Sequence, residues 1–83
     1  MAIRIHAHAL ERGRERGILE SEIVATIQKG EHFPAKFGRL GFRKNFPFDA
    51  IWRNRHYPIK QVEAIAVEEG ADLVVITVIT RYF

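Results

Sequence analysis

Residues 60–82 read KQVEAIAVEEGADLVVITVITRY, and this stretch decides the fold class. Apolar and polar side chains alternate over residues 60–67, which is typical of a half-buried strand. The acids and the glycine of Glu69–Asp72 predict a hairpin turn, and β-branched residues then dominate Leu73–Tyr82. Because this second strand is apolar on both faces as far as Thr77, we expect it to lie centrally in an antiparallel sheet.

Two short helices are predicted upstream of that hairpin. His8–Arg16 forms the first, and Gly17 follows where a left-handed residue commonly closes a helix. The second covers about Glu20–Lys29, with acids in its first turn and an apolar stripe. A short extended segment, Ile3–Ile5, precedes both. This order predicts an α+β fold in which two N-terminal helices pack on a C-terminal antiparallel β-sheet, as one domain over residues 1–83.

The middle of the chain lacks the helical period. Gly38 and Gly41 predict a turn between them, while Pro34, Pro47 and Pro58 each remove a backbone donor. We therefore expect no continuous central strand in this region.

Composition narrows the class of protein. A chain of 83 residues has room for one modest core, and no apolar run approaches the roughly 20 residues that a membrane span needs. The first residues lack the charged-then-apolar order of a secretory signal, so we expect a cytoplasmic protein without a membrane partner. With no cysteine, the chain has neither a disulfide framework nor a thiolate nucleophile.

Positive charge is concentrated in the middle of the chain. The segment His32–Lys60 holds seven basic residues and one acid, whereas the remainder holds six basic and nine acidic residues. Aromatic residues interleave with these cations, a pairing that suits RNA because cations contact phosphates and rings stack on bases. Alternatively, the rings form the core and the charges its solvated face. The candidate RNA contacts are Arg39, Arg43, Lys44, Arg53, Arg55, Lys60 and, from the last strand, Arg81.

The first helix carries the most distinctive chemistry. His8, Arg12 and Arg16 are four residues apart, which places an imidazole and two guanidiniums on one helix face. An imidazole can move a proton near neutral pH, and a guanidinium can hold a phosphoryl oxygen by two donors. Cleavage of RNA by its own 2′-hydroxyl needs these parts. In the alternative interpretation Glu11 or Glu15 pairs with the arginines, and His8 only caps the helix.

The run His8-Ala9-x-x-Arg12-x-x-Glu15-Arg16-Gly17-Ile18 resembles the opening of a bacterial domain-of-unknown-function family that carries an HAxxRxxERGI signature. That family is grouped with the RelE-like and barnase-like small ribonucleases of toxin systems. The resemblance implies a RelE/barnase-like arrangement of two helices on an antiparallel sheet, with a metal-independent RNA-cleaving site. It places His8, Arg12 and Arg16 in the site and adds Thr77 from the closing strand. The segment between Gly41 and Lys60 departs from the family, because it is longer and contains more aromatic residues than the corresponding part of the family pattern.

A second cluster, Arg53-Asn54-Arg55-His56-Tyr57, lies within that departure. If the segment is extended, Arg53, Arg55 and Tyr57 share one face. The two arginines would hold phosphate, and His56 or Tyr57 would exchange protons in partnership with His8. Alternatively, the segment is an exposed loop with Tyr57 packed on the core.

Metal binding is the other role open to the histidines. His6 and His8 are two residues apart and would face the same side of a strand, but no third ligand is evident. We predict no metal, and the absence of nucleotide-binding motifs predicts no cofactor.

Three functions follow from these features. The first is a metal-independent endoribonuclease, the toxin of a toxin-antitoxin pair, whose partner is RNA, either free or on the ribosome. The second is a noncatalytic RNA-binding or ribosome-binding module. The third is a protein-interaction domain whose basic face docks an acidic antitoxin or immunity protein.

Overall fold

The computed structural model describes residues 2–83, and it shows an α+β fold with two helices and a five-stranded sheet. Helices α1 and α2 precede four of the strands, as predicted, and a short strand precedes the helices. The elements are β1 (Ile3–Ile5), α1 (Ala7–Glu15), α2 (Glu20–Lys29), β2 (Glu31–Pro34), β3 (Leu40–Trp52), β4 (Arg55–Glu69) and β5 (Asp72–Tyr82).

The sheet has the strand order β1-β5-β4-β3-β2. All neighbouring strands are antiparallel except β1, which pairs parallel to β5 through Ile3–Ile5. The predicted central position of the last strand is confirmed for its first part, since Leu73–Val75 lie between β1 and β4, whereas the rest of β5 extends beyond the end of β1. None of the helices within residues 2–83 is long and apolar enough to cross a membrane.

Both helices cover one face of the sheet. Ile23 and Ile27 of α2 and Ala9 of α1 pack on Val62 and Val78, all less than a tenth exposed, and further small and β-branched side chains complete this core. The apolar side chains of the helices therefore pack against the apolar side chains of the strands, as the sequence predicted. The opposite sheet face carries no helix, and we call it the open face.

The helix ends follow the local sequence. The first helix closes at Arg16, and Gly17 takes a φ of 75° in the left-handed region, as predicted. A side chain at Gly17 would also collide with Trp52 and Tyr82. The second helix begins after Leu19, whose backbone N–H donates to Glu22 Oε1 at 2.9 Å.

The prediction for the middle of the chain was wrong. The strand β3 runs for 13 residues through Pro47, and β4 runs for 15 residues through Pro58. A proline lacks the backbone N–H, but neither Pro47 nor Pro58 lies at a position where a neighbouring strand needs one. Strand β2 pairs with β3 only as far as Arg43, so Pro47 lies on a free edge, and Pro58 lies opposite a bulge in β3. The predicted turn is displaced to Lys36–Gly38.

Candidate functional site

A cleft of about 190 Å³ lies between α1 and β5. It forms because β1 covers only the first part of the outer edge of β5. The chain leaves β1 as the His6 N–H donates to Val75 O at 2.9 Å, and α1 then packs beside the rest of that edge. The cleft is lined by His8, Ala9, Arg12, Arg16, Ile76, Thr77, Val78 and Ile79. We call it the α1–β5 cleft.

His8 lies at the start of α1 with an exposed side chain. Its backbone N–H donates to His6 Nδ1 at 3.1 Å, so the His6 ring caps the helix. Within residues 2–83, no group of three or more potential ligands is placed to hold a metal ion. The His8 ring itself remains at the cleft, where a substrate could reach it.

The two arginines of the cleft differ in their freedom. Arg16 Nη1 donates to Val78 O at 2.6 Å and satisfies a carbonyl at the outer edge of β5. Arg12, one turn earlier, is exposed. Of the described residues, neither Glu11 nor Glu15 forms an ion pair with Arg12 or Arg16. Arg16 is therefore a positive charge held in the wall of the cleft by a backbone carbonyl, and Arg12 is a solvent-exposed positive charge that also lines the cleft.

Thr77 reaches the cleft from the far end of the sequence. The pairing of β4 with β5 shifts between Ile65 and Ala66, which leaves Ile76 without an opposite residue, and Thr77 pairs with Ile65. A bulge of this kind bends a strand and redirects its side chains. Thr77 is exposed as a result, although the residues before and after it in the strand are largely buried.

The second cluster lies elsewhere. Arg53 and Asn54, with φ of 50° and 68°, form the two-residue turn between β3 and β4, so Arg53 is not in the extended conformation required for a shared face with Arg55. His56 follows in β4, and its Nε2 lies 2.6 Å from Asp49 Oδ1. The structure does not place His56 among the residues lining the α1–β5 cleft.

Lys60 is the predicted RNA contact whose position differs most from the expectation. Its side chain is only 6% exposed, and Nζ lies 2.7 Å from both Glu22 Oε1 and Gly17 O. The alternation that places Lys60 on β4 directs it to the helix-covered face. Its charge is thus used inside the fold rather than presented to a ligand.

Arg43 and Arg81 contact the same carboxylate on the open face. Arg43 Nε lies 2.8 Å from Glu63 Oε1, and Arg81 Nη1 lies 2.9 Å from Glu63 Oε2. Burial of Glu63 would raise its pKa, but its hydrogen bonds to Arg81 and Arg43 and their charges outweigh burial, so the pKa of Glu63 is lowered. The hydrogen bond that Arg43 donates to Glu63 raises the pKa of Arg43.

The other predicted RNA contacts lie beside aromatic rings. The guanidinium of Arg39 lies 5.4 Å from the Phe37 ring centroid, and Lys44 Nζ lies 5.2 Å from that of Phe46. On the β3–β4 hairpin, Arg53 and Arg55 lie beside Trp52 and Tyr57 at 5.3 and 5.6 Å. The interleaving of cations and rings in the sequence thus becomes a series of cation–π pairs. Phe42 is the exception, since it is buried in the core.

A scan against protein-family models, a search of curated proteins and a search of solved structures each gave no match to this chain.

Sequence reasoning named Arg39 as an RNA contact, but it did not assign the loop after β2 to a site shared with the last strand. Phe33, Lys36, Phe37 and Arg39 line a groove on the open face together with Thr77. The available signal was the dense alternation of rings and cations between His32 and Arg39. It did not indicate that this loop approaches the last strand.

Proposed function

We propose that this protein is a metal-independent endoribonuclease whose active site is the α1–β5 cleft. The observation that carries the proposal is the convergence of His8, Arg12 and Arg16 with Thr77, which is far away in sequence, around one small cleft. An imidazole, guanidiniums and a hydroxyl are the groups that phosphodiester cleavage without a metal requires.

In this mechanism the His8 imidazole accepts the proton of the 2′-hydroxyl as that oxygen attacks the adjacent phosphorus. The Arg12 guanidinium donates to the phosphoryl oxygens as their negative charge increases. The positive charge of Arg16 in the wall of the cleft stabilises the same negative charge electrostatically. The Thr77 hydroxyl donates to one of these oxygens. The bond from phosphorus to the 5′ oxygen breaks, and that oxygen takes a proton from water, which leaves a 2′,3′-cyclic phosphate.

The fold adds support by analogy only. Two helices on a mostly antiparallel sheet are compatible with the RelE-like and barnase-like ribonucleases that the N-terminal signature resembles. A fold can host several activities, so the weight of the proposal rests on the cleft. On the same analogy we propose that the protein is the toxin of a toxin-antitoxin system, acting in the cytoplasm on RNA that is free or on the ribosome, with an acidic antitoxin or immunity protein as its partner.

The test is cleavage of an end-labelled RNA of mixed sequence by the purified protein in EDTA, with and without ribosomes. We expect products with 2′,3′-cyclic phosphate ends, and rates lowered about 10²-fold to 10⁴-fold in His8→Ala, since general acid–base groups contribute that much. Arg12→Ala should lose activity as well. Arg14→Ala is the matched control, because Arg14 is exposed on α1 but lies outside the cleft.

Intact RNA in every reaction, or equal rates for Arg12→Ala and Arg14→Ala, would contradict an active site in this cleft. Noncatalytic RNA binding is the second candidate, and the exposed cation–π pairs at Phe37 and on the β3–β4 hairpin favour it. In that case RNA binding would be salt-sensitive and indifferent to His8→Ala.

A further inference from the structure

A second groove, of about 420 Å³, opens on the helix-free face of the sheet next to the α1–β5 cleft. Its floor contains Ile65 and Thr77, which are directly opposite each other in β4 and β5. The row continues through Gly41 in β3 to Phe33 in β2, each paired with the one before it. One row of paired residues therefore crosses four strands, from Phe33 in β2 to Thr77 in β5, beside which α1 lies.

Thr77 lines both the groove and the α1–β5 cleft. A flexible strand that placed a phosphate between His8 and Thr77 would therefore meet the groove with its next nucleotide. The two cavities are therefore adjacent, and Thr77 is the residue that they share.

The wall of the groove is built to present aromatic surface. The Phe33 ring packs against Gly41, where any side chain would collide with it, and the Arg43 guanidinium lies 4.6 Å from the ring centroid. Phe37 is 87% exposed, and its backbone φ of 62° is in the left-handed region, which is costly for a bulky residue. A solvent-exposed aromatic on an unfavourable backbone contributes little to the core, and its ring is open to contact with a ligand.

The charges around both cavities identify the class of ligand. Lys36 and Arg39 line the groove, and Arg12 and Arg16 line the cleft. None of the described residues that line either cavity is acidic. A ligand with negative charge and flat apolar surface at short intervals complements this combination, and single-stranded nucleic acid has that character.

We infer that the open-face groove is a base-binding subsite, in which Phe33 and Phe37 hold the base of the nucleotide adjoining the phosphate in the α1–β5 cleft. Lys36 and Arg39 neutralise the flanking backbone. The ligand is single-stranded RNA, because a paired base cannot turn its face to a ring on the sheet. This inference rests on the proposed function for the position of the scissile phosphate, but base binding itself needs no cleavage.

The experiment measures the affinity of a fluorescent single-stranded oligoribonucleotide whose 2′-hydroxyls are methylated, so that binding is separated from cleavage. We expect Phe37→Ala to weaken binding about 5-fold to 100-fold, as loss of one stacked base does, and Phe37→Tyr to retain it. Phe83→Ala is the control, because Phe83 is also an exposed phenylalanine, at 57%, but lines neither cavity. Binding of fully paired RNA should be unaffected by Phe37→Ala.

The outcomes separate this inference from the proposed function. If wild-type protein cleaves RNA but Phe37→Ala binds and cleaves like wild type, the subsite is wrong and the active site stands. If wild-type protein does not cleave RNA but Phe37→Ala still weakens binding selectively for single strands, the subsite is supported and the endoribonuclease is not. Equal losses in Phe37→Ala and Phe83→Ala, or no binding of RNA by wild-type protein, would overturn the subsite.

Discussion

At the scale of single residues, side chains of the same charge differ in burial and in their hydrogen-bond partners, because positions along a strand or helix face different surroundings. Arg16 and Lys60 are both tied to backbone oxygens, whereas Arg12 and Arg39 are exposed. A count of charges along the sequence treats these four cations alike. The α1–β5 cleft depends on the distinction, since only a cation that is not committed to the fold can follow a phosphate through its reaction.

Lys60 gives the sharpest test at this scale. We expect Lys60→Met to lower the free energy of unfolding by about 3 kcal/mol, because removal of one partner leaves the Glu22 carboxylate largely buried and without its cation. Urea unfolding followed by circular dichroism measures the change. Lys44→Met, on a less buried lysine of β3, should cost less than about 1 kcal/mol.

A double variant distinguishes the ion pair from simple packing. Lys60→Met combined with Glu22→Leu removes both charges, so it should recover part of the lost stability. Recovery should be incomplete, because Glu22 also accepts the hydrogen bond that caps α2. A double variant no more stable than Lys60→Met would show that the pair is not the source of the loss.

At the scale of elements, the sheet is held together on its open face by polar contacts that cross three strands. Glu63 of β4 lies between Arg43 of β3 and Arg81 of β5, and its side chain is only 7% exposed. Arg43 also contacts Glu31 of β2 at 3.3 Å. These ion pairs therefore link four strands. They lie on the open face between the groove lined by Phe37 and Thr77 and the β3–β4 hairpin end of the sheet.

This network predicts a dependence of stability on pH. The pKa of Glu63 is lower in the folded protein than in the unfolded chain, so the unfolded state binds its proton first as pH falls. The stabilisation by Glu63 is fully present above its unfolded pKa, near pH 4.5, and is lost as pH falls through the lower folded value. Urea midpoints measured from neutral to acid pH should therefore decrease in this window.

The matched variants for this prediction are Glu63→Gln and Glu69→Gln. Glu63→Gln should be less stable than wild type at neutral pH and should show a shallower decrease in acid. Glu69 has a side chain that is 66% exposed, and its one ion pair among residues 2–83 is with Arg4 at 3.3 Å, so Glu69→Gln should follow the wild-type pH profile. A wild-type profile in Glu63→Gln would remove the role assigned to the network.

At the scale of the whole molecule, the fold brings the cations of α1 and of the loop after β2 to two adjoining cavities without acidic lining. Most of the acids instead lie on α2, at the β4–β5 turn or in ion pairs. A formal net charge of only +3 therefore understates the local field at the proposed RNA surface.

This distribution predicts the salt dependence of RNA binding. If about three cations engage phosphates, log K should fall against log salt with a slope of about −2, since each contact on a single strand contributes about 0.7. Arg12→Ala should make the slope shallower by about 0.7, and Arg14→Ala should leave it unchanged. Fluorescence anisotropy of a methylated oligoribonucleotide in increasing KCl measures both. Identical slopes for the two variants would mean that the cleft does not contact the backbone.

Much of the architecture could be predicted from the sequence because it depends on local rules. The spacing of apolar residues and the glycine after Arg16 predicted both helices, and the alternation around Glu69–Asp72 predicted the β4–β5 hairpin. Helical periodicity also placed His8, Arg12 and Arg16 on one face. The long strands through Pro47 and Pro58 were missed, since a proline is excluded from a strand only where a neighbouring strand needs its N–H.

The sequence by itself determined the helices, the final hairpin and the row of His8, Arg12 and Arg16, because periodicity and turn chemistry act over a few residues. Only the tertiary structure decided which groups meet. The bulge after Val75 and the shortness of β1 bring Thr77 to the α1–β5 cleft. The burial of Lys60 beside Glu22 keeps its charge from a ligand. These outcomes depend on pairing register and packing between distant segments, and the pattern within any one segment does not contain them.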